Sequence, residues 1–536
     1  MTPGLNLALH RAGAGGRAAA GGWSASRRAA RRGVKVAGWA LALVLVLLIC
    51  LAGAPPSQAG TPGVDEPPLA QPPRPLTLPT LHESTLANGL TVVVAPRPAL
   101  PVVSLTLLLR AGPEVDPPGR PGAAAMTSTL WPKGALRAGR PVPAAELARQ
   151  AEALGGALDS HSGWGASTLS MTVSSPRMDE ALALLADVLR RPLLAADELA
   201  RARTQALDGL RVTMGNPSDV AALALRRSFW GGSAYGQVAT PAALQRLQRA
   251  DVQAFQAAWV RPDRVALVLV GDVTPEHGLA LAQRLLGDWR ASAPAPAAPP
   301  SPSPSPPAPA ATAAQAAALV LIDMPGSGAA SVALAAPYIG SGLAERPERY
   351  AGLVAQAVLG GGYSARLNQQ VRIQRGLSYG VSASAESQPG GGMFTASAQT
   401  NHPSAAEVLQ LLRSEVTRLA DAPAGADELA ARQATLVGSF ARRLETTSGL
   451  SALLVGQLAQ GRPLADLVNY VPGLLAVTPA QVQAFARRHW QADGLRAVVA
   501  GDLAAAGDSL TTPPALRLTL GELDLAQPGL RKPAAP

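Results

Sequence analysis

Beyond residue 59 the chain carries five histidines, His82, His161, His277, His402 and His489, no two within a few helical turns of each other in sequence. A helix-borne metal site needs ligands three or four residues apart, and this spacing supplies none. His161 stands close to Asp159; it either joins a ligand set assembled from distant segments or is an ordinary loop or core histidine. The single cysteine, Cys50, falls in an apolar leader, so a chain cut after that leader has neither a disulfide nor a cysteine nucleophile. Gly360-Gly361-Gly362 precedes no Gly-Lys-Ser/Thr and lacks a Gly-x-Gly-x-x-Gly pattern, so it does not read as a phosphate cradle. Three glycines instead let the backbone turn or approach another chain closely.

The elements that must position any site are of both kinds. Thr85 to Pro96, TLANGLTVVVAP, places Asn88-Gly89 between strand formers, a hairpin signal, and Val102 to Arg110 reads as a second strand. Ala144 to Leu154 reads as a helix. So does Met178 to Arg190, where Ser175-Pro176 supplies the cap and first-turn proline and Met178, Leu182, Leu185 and Leu189 form one apolar face. VQAFQAAWVRPDRVALVLVGD at 252–272 and VQAFARRHWQADGLRAVVAGD at 482–502 align without a gap. Each reads as an amphipathic helix, a turn with Asp263 or Asp493 and an apolar strand ending in Gly-Asp. Thr240-Pro241 and Thr478-Pro479 start further helices in corresponding places. The order predicts an α+β fold of two homologous domains, each an antiparallel sheet packed with helices.

Of 536 residues 48% are hydrophobic and 15% charged, enough for large cores. Seven of the 46 basic residues lie in the first 59, which hold no acid, leaving 39 basic against 36 acidic and a net +3. No basic run with interleaved aromatics follows, so a nucleic-acid partner is not expected. Val34 to Ala54 is apolar, preceded by arginines and followed by Ser57-Gln58-Ala59. That pattern predicts export to the periplasm with cleavage after Ala59; the alternative is an inner-membrane anchor through Val34 to Ala54. Nine prolines between Pro294 and Pro309 predict an extended linker. The resulting organisation is a leader over 1–59, a Pro-rich approach over 60–79, domains over 80–290 and 317–505, a linker over 291–316 and a tail over 506–536.

The order TLANGLTVVVAP, PVVSLTLLLRAG, PPGRPGAAAMTSTLWPKGA, LGGALDSHSG and AWVRPDRVALVLVGDV resembles the amino-terminal domain of pitrilysin/insulinase-type zinc peptidases, including bacterial relatives of mitochondrial processing peptidase. VLGGGYSARLNQQVRIQRGLSYGVSAS resembles the family's carboxy-terminal domain, and the likeness spans about residues 80 to 505. The chain departs from the family where its chemistry should be. The resemblance places the inverted zinc motif His-x-x-Glu-His over Ala125 to Thr129, so Ala125 and Thr129 replace the two histidines and Ser128 replaces the glutamate base. On ADELARARTQALDGL, Gly209 stands where the third ligand, a glutamate, is expected; Asp208 faces another side of the helix. Zinc needs three protein ligands and a water, and these positions offer no ligand.

Arg375 and Tyr379, in Arg375-Gly376-Leu377-Ser378-Tyr379, are retained. The resemblance implies that this pair binds substrate backbone across the cavity from the metal, where an arginine fork and a phenol can hydrogen-bond carbonyls. The alternative is an arginine paired with a neighbouring acid and a tyrosine packed at a strand end. The favoured expectation is therefore a non-catalytic, exported subunit without a cofactor of its own, binding peptide or unfolded protein beside a zinc-bearing homologous subunit. A structural or chaperone-like binding protein is the alternative, and a self-sufficient enzyme the weakest reading.

Overall fold

The computed structural model describes residues 76–291, 294, 318–342, 344–510 and 515–532. The expected leader, nearly all of the Pro-rich approach and all of the linker except residues 291 and 294 lie outside the described residues. Helices of eight or more residues are numbered α1 to α12 in chain order.

The first half carries β1 (His82–Thr85), β2 (Thr91–Pro96), β3 (Val102–Leu109), β4 (Gly134–Arg137), β5 (Arg140–Pro143), β6 (Asp159–Gly163), β7 (Ala166–Ser174) and β8 (Val265–Gly271). Its helices are α1 (Ala123–Leu130), α2 (Ala144–Ala153), α3 (Met178–Arg190), α4 (Ala196–Met214), α5 (Pro217–Trp230), α6 (Arg249–Trp259) and α7 (Pro275–Leu286). The second half carries β9 (Leu319–Asp323), β10 (Ala330–Tyr338), β11 (Val381–Gln388), β12 (Gly391–Thr400), β13 (Arg496–Gly501) and β14 (Ala515–Thr519). With them stand α8 (Arg349–Gly360), α9 (Ala405–Asp421), α10 (Ala426–Leu444), α11 (Thr447–Ala459) and α12 (Pro479–His489).

The α+β expectation holds, and the predicted hairpin, second strand and helices fall within a residue or two of their expected bounds. The sheets, expected to be antiparallel, are mixed. The first runs β1-β2-β8-β3-β7-β6 with β2 parallel to β8, and the second runs β11-β12-β10-β13-β9-β14 with β9 parallel to both β13 and β14. A parallel neighbour requires a crossover, and the helix preceding β8 or β13 provides it. Residues 506–536, expected to be a tail, contribute β14 to the edge of the second sheet, and Leu518, Leu523, Leu525 and Leu530 are buried.

The repeated segments fold alike. Val252 and Phe255 of α6 and Val482 and Phe485 of α12 are buried, and Asp263 and Asp493 sit in matching 3₁₀ turns before β8 and β13. The Gly of each Gly-Asp ends a strand pressed against its neighbour. A Cβ on Gly271 would come within 2.0 Å of Val102 O, and one on Gly501 within 2.9 Å of the Ala330 Cα, so only glycine fits.

The central strands are buried on both faces and largely apolar, with only small polar residues such as Ser104, Thr106 and Ser331 among them, which a sheet with one solvated face would not need. In β3, Val103, Leu105, Leu107 and Leu109 point into the first half's own core, with α3 and α7. Leu108 points the other way, with Val93, Ala95, Val268 and Val270, onto Leu450, Leu454 and Leu458 of α11 from the second half. The second sheet mirrors this arrangement. Val332 and Leu334 face α8, α9 and α12, whereas Ala333, Ala335 and Val498 meet Val220, Ala221, Ala224 and Leu225 of α5 from the first half. Each half therefore covers one face of the other half's sheet. The helices leading into this exchange, α4 and α10, both open on Ala-Asp-Glu-Leu-Ala, at 196–200 and 426–430.

Candidate functional site

Helix α1 presents the first set of positions singled out in the sequence. It starts at Gly122, whose φ of 103° only glycine adopts cheaply, and its first amides are held by Asp116, which accepts from Gly122 N and Ala124 N at 2.7 Å each. Ala123, Ala124, Met126, Thr127 and Leu130 fix the helix by burial against α4, α6 and β6. Ala125 and Thr129, four apart, share the exposed face. Ser128 is buried and its hydroxyl donates to Ala125 O at 2.9 Å; the Thr129 hydroxyl donates to the same oxygen at 2.8 Å. Both side-chain oxygens are thus turned back onto their own helix. Gly209 is exposed on α4, with nothing within 4 Å of a Cβ built there, and Asp208 beside it pairs with Arg211 at 2.5 Å.

Zinc does not fit these residues. A methyl group, a glycine and two hydroxyls spent on a backbone carbonyl offer none of the imidazole, thiolate or carboxylate donors it takes. Among the described residues no three of His, Cys, Asp and Glu gather closely enough to hold a metal. His161 lies on β6, while His277 contacts Asp179 at 2.8 Å and His489 contacts Glu348 at 2.9 Å.

Arg375 and Tyr379 are displayed by a different scaffold. A short helical turn at Arg366–Asn368 runs into a π-turn at Gln369–Ile373, and a loop then leads into β11. Arg366 grips Glu428 at the start of α10 through two bonds of 2.8 Å, a bidentate fork that holds Glu428 below the usual carboxylate range. Leu367 and Val371 are fully buried, Asn368 Oδ1 accepts from Val381 N at 2.9 Å, and Thr400 Oγ1 donates to Leu377 O at 2.6 Å. Much of the SARLNQQVRIQRGLSYG string is therefore framework. Upstream, a Cβ on Gly360 would stand 2.1 Å from the Ala383 Cβ, so the triple glycine lets the end of α8 abut β11.

What the loop exposes is the pair itself. Tyr379 is 96% exposed, which excludes a tyrosine packed at a strand end. Arg375 is exposed and donates to Gln370 Oε1 at 2.6 Å, with Glu407 Oε1 3.4 Å from its Nε. Contrary to the expectation that the sequence holds no Gly-x-Ser-x-Gly, Gly376 to Gly380 spell one. The string leads into a strand rather than a helix, and Ser378 Oγ donates to Gly380 O at 2.8 Å, so the nucleophile-elbow context is missing.

Two carboxylates that carried no sequence signal lie under α1. Burial, and then the charge of Glu114, push Asp116 up to about 7 against the pull of its backbone donors. Burial also raises Glu114, which accepts from Gly112 N at 2.9 Å and Gly165 N at 2.8 Å. Beside them the Arg226 guanidinium lies 4.5 Å over the Trp164 ring and pairs with Glu386 of the second half at 2.7 Å. The Glu114 bond to Gly165 and the Arg226 pairing with Glu386 join residues distant in sequence, which no local pattern reports.

A family model described as "Insulinase (Peptidase family M16)" matches residues 91–240, and one described as "Peptidase M16 inactive domain" matches residues 246–436. The chain belongs to the insulinase family. Among curated relatives, an uncharacterized zinc protease of Rickettsia bellii is 22% identical over 340 residues, covering 63% of this chain and 78% of the relative. One of Streptomyces coelicolor is 25% identical over 414 residues, covering 76% and 87%. A solved structure titled as the peptidase M16 inactive domain from Pseudomonas fluorescens superposes with a TM-score of 0.69 at 25% identity, covering 78% of this chain and 98% of that one. A protease from Helicobacter pylori superposes at 0.71 with 19% identity, covering 79% and 100%, and so shares the fold. This M16 chain thus shares the two-domain frame, displays Arg375 and Tyr379 on one exposed loop, and carries no imidazole, thiolate or carboxylate at Ala125, Ser128, Thr129 and Gly209.

Proposed function

We propose that this chain is a non-catalytic M16 subunit, exported to the periplasm, that holds peptide or unfolded protein for a zinc-bearing homologous subunit. The observation that carries the reading is a contrast between its two candidate sites. The positions for metal chemistry present a methyl, a glycine and self-bonded hydroxyls, whereas the loop for backbone binding is rigidly framed and leaves Tyr379 96% exposed. An arginine fork and a phenol on such a loop can donate to peptide carbonyls, and in a shared site they would stabilise oxyanion charge developing there. The Gln370 and Glu407 contacts hold Arg375 without burying it. An exposed pair of this kind contributes little stability, about 0 to 1 kcal/mol.

The test is reconstitution with a zinc-bearing M16 subunit from the same cell, scored by peptide turnover. Arg375→Ala and Tyr379→Phe should each lower turnover about a hundredfold or more, corresponding to roughly 3 to 4 kcal/mol of lost transition-state stabilisation. Thermal stability should be nearly unchanged. Full activity with both variants, or failure of any such subunit to associate, would replace this reading with a structural or chaperone-like one, which the existing Arg375–Glu407 contact favours. Amino-terminal sequencing of the exported form should find Gly60 first; an intact Val34 to Ala54 segment in the membrane fraction would instead indicate an anchor.

A further inference from the structure

A cavity of about 590 Å³ lies where the two halves meet. Trp164 and Gly165, from the turn between β6 and β7, close it from the first half, and its apolar wall includes Leu353, Leu436, Phe440, Leu453 and Leu467 of the second. Its charge is one-sided. Arg349, Arg443 and Arg462 line it against one carboxylate, Glu386, which is already paired with Arg226 at 2.7 Å. Arg346 stands close by and is neutralised by Asp466. Burial, and then the charge of Arg349, hold the Arg462 guanidinium down at about 10. Arg443 is exposed, but Arg349 and Arg462 are half-buried, and Asp466, which also acts on Arg462, is already bound to Arg346; half-buried cations that share committed anions are unfavourable unless something supplies further countercharge.

The wall also holds donors without acceptors. Arg349 Nη2 reaches Gln457 Oε1 at 3.4 Å, but Arg349 Nε, Gln457 Nε2 and Tyr338 Oη are buried with no hydrogen-bond partner. Gln457 is 4% and Tyr338 6% exposed. A group that accepts without donating, carries negative charge and is flat enough for a guanidinium fork meets all of these demands, and that group is a carboxylate. The surrounding leucines and Phe440 suit an apolar body attached to it.

We propose that this cavity binds a carboxylate carried on an apolar body, with the charged end toward Arg349, Gln457 and Arg462 and the body against Leu353, Phe440 and Leu453. A free peptide carboxy-terminus ending in phenylalanine or leucine has this chemistry, and so does a free aryl acid. Neither Arg375 nor Tyr379 lines the cavity, so the site stands whether or not a zinc-bearing partner exists.

The test is calorimetric titration of the purified full chain with four probes: N-acetyl-Ala-Phe as the free acid, its carboxy-terminal amide, 3-phenylpropionate and inorganic phosphate. The free acid should bind saturably, the amide about tenfold or more weaker, and phosphate should not displace the acid. Arg462→Gln and Arg349→Gln should each weaken the free acid about tenfold or more. The comparison of acid with amide needs only the wild-type chain, so it decides the question even if a variant fails to fold. If 3-phenylpropionate binds as tightly as the peptide, a free acid is the source; if it binds more weakly, a peptide terminus is. Equal affinity for acid and amide, displacement by phosphate, no saturable binding by about 5 mM, or folded variants that bind like the wild type would overturn the proposal.

Discussion

Replacing Leu454 by alanine should destabilise both halves of the molecule together. Leu454 is fully buried on α11, a helix of the second half, yet its neighbours are Val93, Ala95, Leu108, Val268 and Val270 of the first half's sheet. One turn earlier, Ser451 Oγ meets Thr106 Oγ1 at 3.3 Å inside the same layer, which fixes the register of the helix and limits collapse around a void. A buried Leu→Ala change with little relaxation costs about 3 to 4 kcal/mol, from lost transfer energy plus the cavity. Leu225, 1% exposed on α5, plays the matching part against the second sheet. At about 2.1 cal/mol/K of unfolding entropy per residue, the roughly 460 residues from Leu76 onward give about 1 kcal/mol/K. Each substitution should therefore lower Tm by about 3 to 4 °C, and the two together by about twice that, because the sites share no partner. Differential scanning calorimetry should show one transition moving as a unit. Two resolved transitions, with Leu454→Ala shifting only one of them, would refute the reasoning, and so would a stable fold for residues 76–290 alone.

Asp116, raised by burial to about 7 from an ordinary 3.8, binds its proton more tightly in the folded state, so its contribution is complete below pH 4 and is lost as pH rises through 7. Chemical denaturation of the wild type and of Asp116→Asn, whose single oxygen can accept from only one of the Gly122 and Ala124 amides and which therefore starts from a lower stability, should show the variant gaining on the wild type between pH 4 and 8, by up to about 4 kcal/mol; parallel pH profiles would contradict this. Gly360→Ala should destabilise by about 1 to 3 kcal/mol in urea titrations, because its Cβ would stand 2.1 Å from that of Ala383, and a gain from helix propensity would show that the contact yields easily. Elemental analysis of the purified chain should find no stoichiometric zinc, and a peptide-library digest no chelator-sensitive cleavage; one tightly held zinc per chain would mean that residues other than Ala125, Ser128, Thr129 and Gly209 supply ligands.

Local pattern carried a good part of this protein. The Asn88-Gly89 hairpin, the capped helix at Met178–Arg190 and the paired helix-turn-strand segments ending at Gly271-Asp272 and Gly501-Asp502 were legible because turn chemistry, capping and apolar period are properties of neighbouring residues. The sequence alone also gave the identities at Ala125, Ser128, Thr129 and Gly209, and no tertiary contact can turn a methyl or a glycine into a zinc ligand. Tertiary structure decided what depends on distant partners. The unbroken apolar run in β8, and runs interrupted only by small polar residues in β3 and β10, told that both faces are buried, but not that the second face is closed by a helix of the opposite half. The residues after 505 had no periodicity strong enough to mark β14, which exists because β9 offers it an edge. The Arg375/Tyr379 string did not distinguish framework from display, and burial of Leu367 and Val371 beside an exposed Tyr379 does. The cavity arginines are spread from position 349 to 462 and signal nothing in order of sequence; folding gathers their charges and leaves Arg349 Nε without an acceptor.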